Sequence, residues 1–216
     1  LPPEPLVLGF DTSAAHCAAA LIRGENLVAA RHEEMSRGQA ERLFPMIGEM
    51  LADAGLSWRD IHLIGVGTGP GNFTGIRLSV AAARGLALSL EIPAISVNRF
   101  QAMTWGQNEA ALALVDARRG QFYAGTSDER LEPALYEREK LVETFAGRVG
   151  ICMGDDAELI APELGAQVAQ PLLPVAQAVA RVALEKRGMP VGRPAPLYLK
   201  PADAAPSRMA APVILP

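Results

Sequence analysis

Three short stretches of this 216-residue chain hold residue types that could do chemistry. The first is Asp11-Thr12-Ser13, directly after the apolar run Leu6 to Phe10. A carboxylate with two hydroxyls at a strand end can orient magnesium through water, because magnesium takes one or two carboxylates and keeps much of its water shell. The same residues can close a hairpin as an Asx or hydroxyl turn. The second is Asp116 with Arg118 and Arg119, which reads either as the edge of a polar cleft or as a solvated hairpin tip. The third is Asp155-Asp156 after Gly154, either a ligand loop or a helix start, where carboxylates suit the dipole. His16, His32 and His62 are scattered, with no partner at metal spacing and no Ser–His or Cys–His pattern, so each reads as a turn or surface residue. Cys17 and Cys152 stand alone in apolar runs and read as reduced core residues, which suits a cytosolic protein.

The glycine-rich stretch Gly67-Thr-Gly-Pro-Gly-Asn-Phe-Thr-Gly-Ile-Arg77 is the other candidate. A Walker loop needs a lysine that is absent here, and a dinucleotide fingerprint needs a third glycine where Thr74 stands. The stretch therefore reads as a strand–helix joint. Leu63 to Val66 is the strand, Asn72 the cap, and Phe73 to Leu90 one long helix stopped before Pro93. Gly75, Ser79, Ala83 and Ala87 fall four apart and leave one stripe almost bare, so that another helix could approach closely. Packing within the chain itself would explain the same stripe.

Around these stretches the pattern is α/β. Strands are predicted at Leu6–Phe10, Cys17–Ile22 and Leu27–Arg31, joined by short turns into an antiparallel meander. Leu43, Met46, Ile47, Met50 and Leu51 make a helical stripe. Further strands are predicted at Ala94–Val97, Ala110–Val115 and Val149–Met153. Helices are predicted over Phe100–Gln107, toward Leu164, and over Pro174–Lys186. Residues 128–148 are charged and show no clear period, and the Pro- and Ala-rich tail from Gly188 reads as extended, then loose. Leu114-Val115-Asp116 and the following turn echo Gly9-Phe10-Asp11, which suggests two lobes on one plan.

Half the residues are hydrophobic and mean hydropathy is +0.15, enough for one large domain or two small lobes. Twenty basic against 24 acidic residues give a net charge of −4 with no basic patch, which disfavours direct nucleic-acid binding by this chain alone. Leu1-Pro-Pro-Glu-Pro does not read as a signal peptide. Arg77 and Arg84 interrupt the longest apolar helix, so no membrane span is expected.

Phe10-Asp11-Thr12-Ser13, Glu41-x-Leu43-x-Pro45, Gly69 through Arg77, Asp116-Ala117-Arg118 and Pro196-Leu197-Tyr198-Leu199-Lys200 occur in order along most of the chain. Together they closely resemble the TsaB (YeaZ) family of tRNA threonylcarbamoyladenosine biosynthesis proteins, and Gly69–Arg77 is the most specific of them. The resemblance implies an actin-like ATPase (ASKHA) fold with two lobes of ribonuclease-H-like topology, the second reduced. The lobes are expected at 1–100, carrying the dimerisation helices, and 101–216. It also implies a non-catalytic scaffold that pairs with TsaD, the paralogue that transfers the threonylcarbamoyl group to adenosine 37 of tRNA. The ATPase TsaE would join the pair, tRNA would be met only through the complex, and the isolated chain would form a homodimer in the cytoplasm.

TsaD-like proteins hold metal through a His-Met-Glu-Gly-His motif, and Arg99 and Met103 stand at the matching ligand places here. A guanidinium has no lone pair to give, and a lone thioether is a poor ligand for a hard metal. No metal and no catalytic residue are therefore expected. Asp11, Thr12 and Ser13 would be a vestigial nucleotide site, with no cofactor of the chain's own and ATP or ADP with magnesium only at the complex. The expected interface is Leu43, Met46, Ile47, Met50, Gly75, Ile76, Ser79, Val80 and Ala83. The rival reading is an actin-like kinase or ATPase acting on a small molecule at Asp11. It needs a second phosphate loop and an adenosine pocket, and neither is legible. The older glycoprotease label for such proteins finds no Ser–His–Asp or HExxH pattern.

Overall fold

Every residue of β1 (Leu6–Asp11) is buried, as in a strand covered on both faces. The computed structural model describes residues 4–127, 131–190 and 192–200. From β1 the chain turns back twice, through β2 (His16–Arg23) and β3 (Asn26–Glu34), in the antiparallel meander that the short turns require. After α1 (Gln39–Asp53) it adds β4 (Leu63–Gly67) parallel to β1, and after α2 (Phe73–Leu90) it adds β5 (Ala94–Val97) parallel to β4. The sheet order is β3-β2-β1-β4-β5.

The second half repeats the plan. After α3 (Arg99–Thr104) come β6 (Ala111–Asp116), β7 (Gln121–Thr126), β8 (Ala134–Glu137), α4 (Arg138–Phe145), β9 (Ile151–Gly154), α5 (Ala157–Leu164) and β10 (Gln167–Val168). Their order, β10-β9-β6-β7-β8, is the first sheet's order element for element. β8, α4 and the short β10, which have no sequence expectation, complete the match. Residues 128–130, on which part of the expectation for 128–148 falls, and residues 191 and 201–216, on which part of the tail expectation falls, lie outside the described residues.

Each lobe ends in a helix that packs on the other lobe's sheet. The last helix, α6 (Val175–Glu185), covers Val7, Ile22, Leu63, Ile95 and Val97 of the first sheet. Conversely, Phe100 and Met103 of α3 pack on Ala111, Ala113, Val115 and Met153 of the second. The expected stretch 101–216 therefore includes a helix, α6, that covers one face of the first sheet. The approach of α6 is close, since a Cβ at Gly9 or Gly65 would meet its backbone. The opposite face of the first sheet packs Leu6, Leu8, Phe10 and Leu21 against Leu43, Met46, Ile47 and Met50 of α1 and Ala82 and Ala83 of α2.

Candidate functional site

Asp11 ends β1, and its Oδ1 accepts hydrogen bonds from the Ser13 amide at 2.9 Å and the Ser13 hydroxyl at 2.9 Å. His16 Nε2, at the start of β2, lies 2.7 Å from the same oxygen. Thr12 faces α2: its amide donates to Ser79 Oγ at 3.0 Å and its hydroxyl to the Gly75 carbonyl at 2.7 Å. The Asn72 amide donates to the Ser13 carbonyl at 2.6 Å, while Asn72 Oδ1 caps the helix by accepting from the Gly75 amide at 3.0 Å. The glycines make this possible. A Cβ on Gly67, Gly71 or Gly75 would overlap Asp11, the Ser13 carbonyl or the Thr12 carbonyl respectively.

Asp11, Thr12 and Ser13 are therefore 3%, 0% and 2% exposed, and their polar atoms serve the joint between β1 and α2. His16 is the partner that sequence reasoning missed. Its place five residues after Asp11, across a hairpin turn, was the available signal. Ser13, His16 and Asp11 meet, yet not in the order of a hydrolase triad: the serine hydroxyl donates to the carboxylate, and the imidazole addresses that same oxygen rather than the serine. His16 and His32 rings lie 5.0 Å apart, and His32 Nε2 is 2.7 Å from Glu34.

The same packing takes in the residues of the expected interface. Leu43, Met46, Ile47 and Met50 are 0% exposed, turned onto the sheet. Gly75, Ile76, Ser79, Val80 and Ala83 are buried too, because the bare stripe lets α2 settle on its own chain's β1–β2 turn and sheet. What α2 shows to the outside is a second stripe half a turn away: Thr74, Ala81 and Gly85 are exposed, Leu78 is half-buried, and Leu88 is 82% exposed. Nothing lies within 4 Å of where a Gly85 Cβ would stand. On α1, Phe44 is 42% exposed and Pro45 is exposed. Residues 36–41 of the α1 entry line one open groove together with Asn72, Thr74, Gly75, Arg77 and Leu78. By length and hydropathy α2 could cross a membrane, but a third of it is buried in the lobe.

In the second lobe Asp155 Oδ2 accepts from the Asp116 amide at 2.8 Å, and Asp116 Oδ1 accepts from the Arg118 amide at 2.7 Å. Arg118 and Arg119 are exposed at the hairpin tip with φ of 66° and 57°. Asp156 precedes α5 without a side-chain cap bond. Met103 packs in the second core, and the Arg99 amide donates to the Gly69 carbonyl at 2.7 Å. Among the described residues no three His, Cys, Asp or Glu side chains converge on a common point. Burial pushes the Cys17 and Cys152 thiols up to about 11, with Glu33 adding to the effect at Cys17, so both are poor nucleophiles at neutral pH.

Two lobes of one plan, each opening on a strand–Asp–hairpin, define an actin-like ATPase fold. A family model described as "TsaD: tRNA N6-adenosine threonylcarbamoyltransferase" matches residues 28–158, more than half of the chain. The chain belongs to that family. Within it, relatives bear the name "tRNA threonylcarbamoyladenosine biosynthesis protein TsaB": that of Escherichia coli is 38% identical over 54% of this chain and 52% of its own length. The one from Bacillus subtilis is 33% identical over 55% and 53%. The chain thus spans about half the length of these curated relatives. Among solved structures, a Pseudomonas aeruginosa protein described as similar to peptidase YEAZ superposes with a TM-score of 0.75 at 26% identity, covering 91% of this chain and 100% of that one. YeaZ from the same organism gives 0.69 at 25% identity, over 84% and 92%.

Proposed function

We propose that this chain is a non-catalytic subunit of the machinery that makes threonylcarbamoyladenosine in tRNA, pairing with a TsaD partner through the outer face of α1 and α2. The observation that supports this reading is the outward stripe of Thr74, Leu78, Ala81, Gly85 and Leu88 beside Phe44 and Pro45. Small residues there admit a facing helix, and the larger apolar ones exclude water around it. TsaE joins the pair, tRNA is met through the complex, and two copies of the chain use the same face when the partner is absent. The setting is the cytoplasm. Asp11, Thr12 and Ser13 act as a structural joint through Asp11 Oδ1 and the Thr12 amide and hydroxyl, and ATP or ADP with magnesium belongs to the assembled complex.

Ala81→Trp and Gly85→Trp are expected to leave the chain folded and to weaken pairing with TsaD by about 100-fold, as overpacking of a tight helix contact does. Co-elution of either variant with TsaD at wild-type affinity would sink the assignment. Isothermal titration of the isolated chain with Mg-ATP separates the rival kinase reading, which requires micromolar binding and turnover.

A further inference from the structure

The irregular segment 194–199 lies across both lobes. On the first lobe it runs antiparallel to α2. Arg84 Nε donates to the Pro194 carbonyl at 2.7 Å, and Arg77 Nε donates to the Tyr198 hydroxyl at 2.8 Å. The Tyr198 ring stacks on Phe73 at 5.4 Å, and the Arg77 guanidinium sits 3.7 Å over the same Phe73 ring. Between these points the Leu197 amide donates to the carbonyl of Thr68, the residue that follows β4, at 2.9 Å. On the second lobe, Leu197 and Leu199 pack against the cluster formed by Phe100, Met103, Ala111, Ala113, Val115 and Met153. Val115 and Met153 stand near the carboxyl ends of β6 and β9.

The carboxyl ends of parallel strands are where open α/β sheets leave a crevice for ligands. Here a stretch of the chain itself enters that crevice from the Thr68 side and reaches the second core. Pro194 and Pro196 hold it extended before it docks, so little conformational freedom is lost on docking.

We infer that residues 194–199 are an internal tie that occupies the inter-lobe crevice and fixes the angle between the lobes. The tie uses one backbone–backbone hydrogen bond, two arginine hydrogen bonds and an aromatic–guanidinium stack on one lobe, and two leucines on the other. With it seated, the lobes move as one body. This inference stands whether or not the outer face of α2 meets TsaD.

Spin labels on Arg59→Cys and Leu159→Cys, one exposed site in each lobe, read the lobe-to-lobe distance in the full chain diluted with unlabelled protein. The parent is expected to give one narrow distribution, and Leu197→Ala/Leu199→Ala a distribution at least about twice as wide. Should that double variant not fold, Arg84→Ala/Tyr198→Ala, which alters only lobe 1 contacts of the tie, carries the same expectation. Hydrogen exchange adds a readout that needs no variant: the Leu197 amide should exchange at least about tenfold more slowly than an unprotected amide. An unchanged narrow distribution in a folded variant, or an unprotected Leu197 amide, would overturn the inference.

Discussion

Gly75 shows how much of the molecule depends on a missing side chain. Its carbonyl accepts from Thr12, and a Cβ there would overlap the Thr12 carbonyl, which is backbone and cannot turn aside. Gly75→Ala is expected to cost about 1–3 kcal/mol, read as a lower urea midpoint at unchanged slope. Gly85→Ala, in open space on the same helix, should stabilise by up to about 1 kcal/mol. The two substitutions, ten residues apart, report which side of α2 is sealed. The small-residue stripe was legible in the sequence, but its direction was not: bare positions suit a partner helix and the chain's own turn equally well, and the bonds of Thr12 to Ser79 and Gly75 decide between them. At the cysteines, burial and the raised thiol pKa of about 11 act together. Neither Cys17 nor Cys152 should react with a thiol reagent at pH 7 until the chain is unfolded, and both should then react within the same transition.

Among elements, the tie between α1 and β3 is ionic and exposed to pH. Arg42 bonds Glu33 through Nε at 2.8 Å and Glu49 through Nη1 at 2.7 Å. The Arg42 hydrogen bonds hold both carboxyls below their ordinary value of 4.5. A carboxyl whose folded pKa is lowered adds stability that is whole above its unfolded pKa and is lost as pH falls through the folded one. The wild-type chain should therefore lose this contribution as pH drops below about 4.5, whereas Arg42→Met, which lacks it, should be less stable at pH 7 and converge with wild type in acid. Thermal melts from pH 7 to pH 3 check the convergence, and parallel curves would contradict it. The elements themselves were legible where period and burial agree, as in the α1 stripe and the β1 run. β8 and α4 were not, because Tyr136, Leu141 and Phe145 reach the second core from among Glu137, Arg138, Glu139, Lys140 and Glu143. A short helix with one buried edge does not fill a periodicity window.

At the scale of the whole molecule, the sequence echo at Asp11 and Asp116 marks a repeat of the complete β-β-β-α-β-α-β unit, but it hides the exchange of helices between the units. That exchange has a consequence for dissection of the chain. A fragment ending at residue 98 keeps all five strands of the first sheet together with α1 and α2, yet it loses α6. Val7, Ile22, Leu63, Ile95 and Val97, at 0–2% exposure in the intact chain, would then face water. At about 1.5–3 kcal/mol for each fully uncovered aliphatic side chain, the loss is on the order of 10 kcal/mol, which is the whole stability of a typical domain. The fragment should therefore lack a cooperative thermal transition and bind ANS. Adding a peptide spanning 172–188 should restore a transition, because the Ala176, Ala180 and Ala183 stripe of α6 fits the bare backbone at Gly9 and Gly65. Ala180→Leu in the same peptide should fail to restore it, since the Ala180 Cβ is the nearest side-chain atom to the bare face of Gly9 and leaves no space for a longer side chain. A fragment 1–98 that melts cooperatively by itself would show that the two units do not need the exchanged helix.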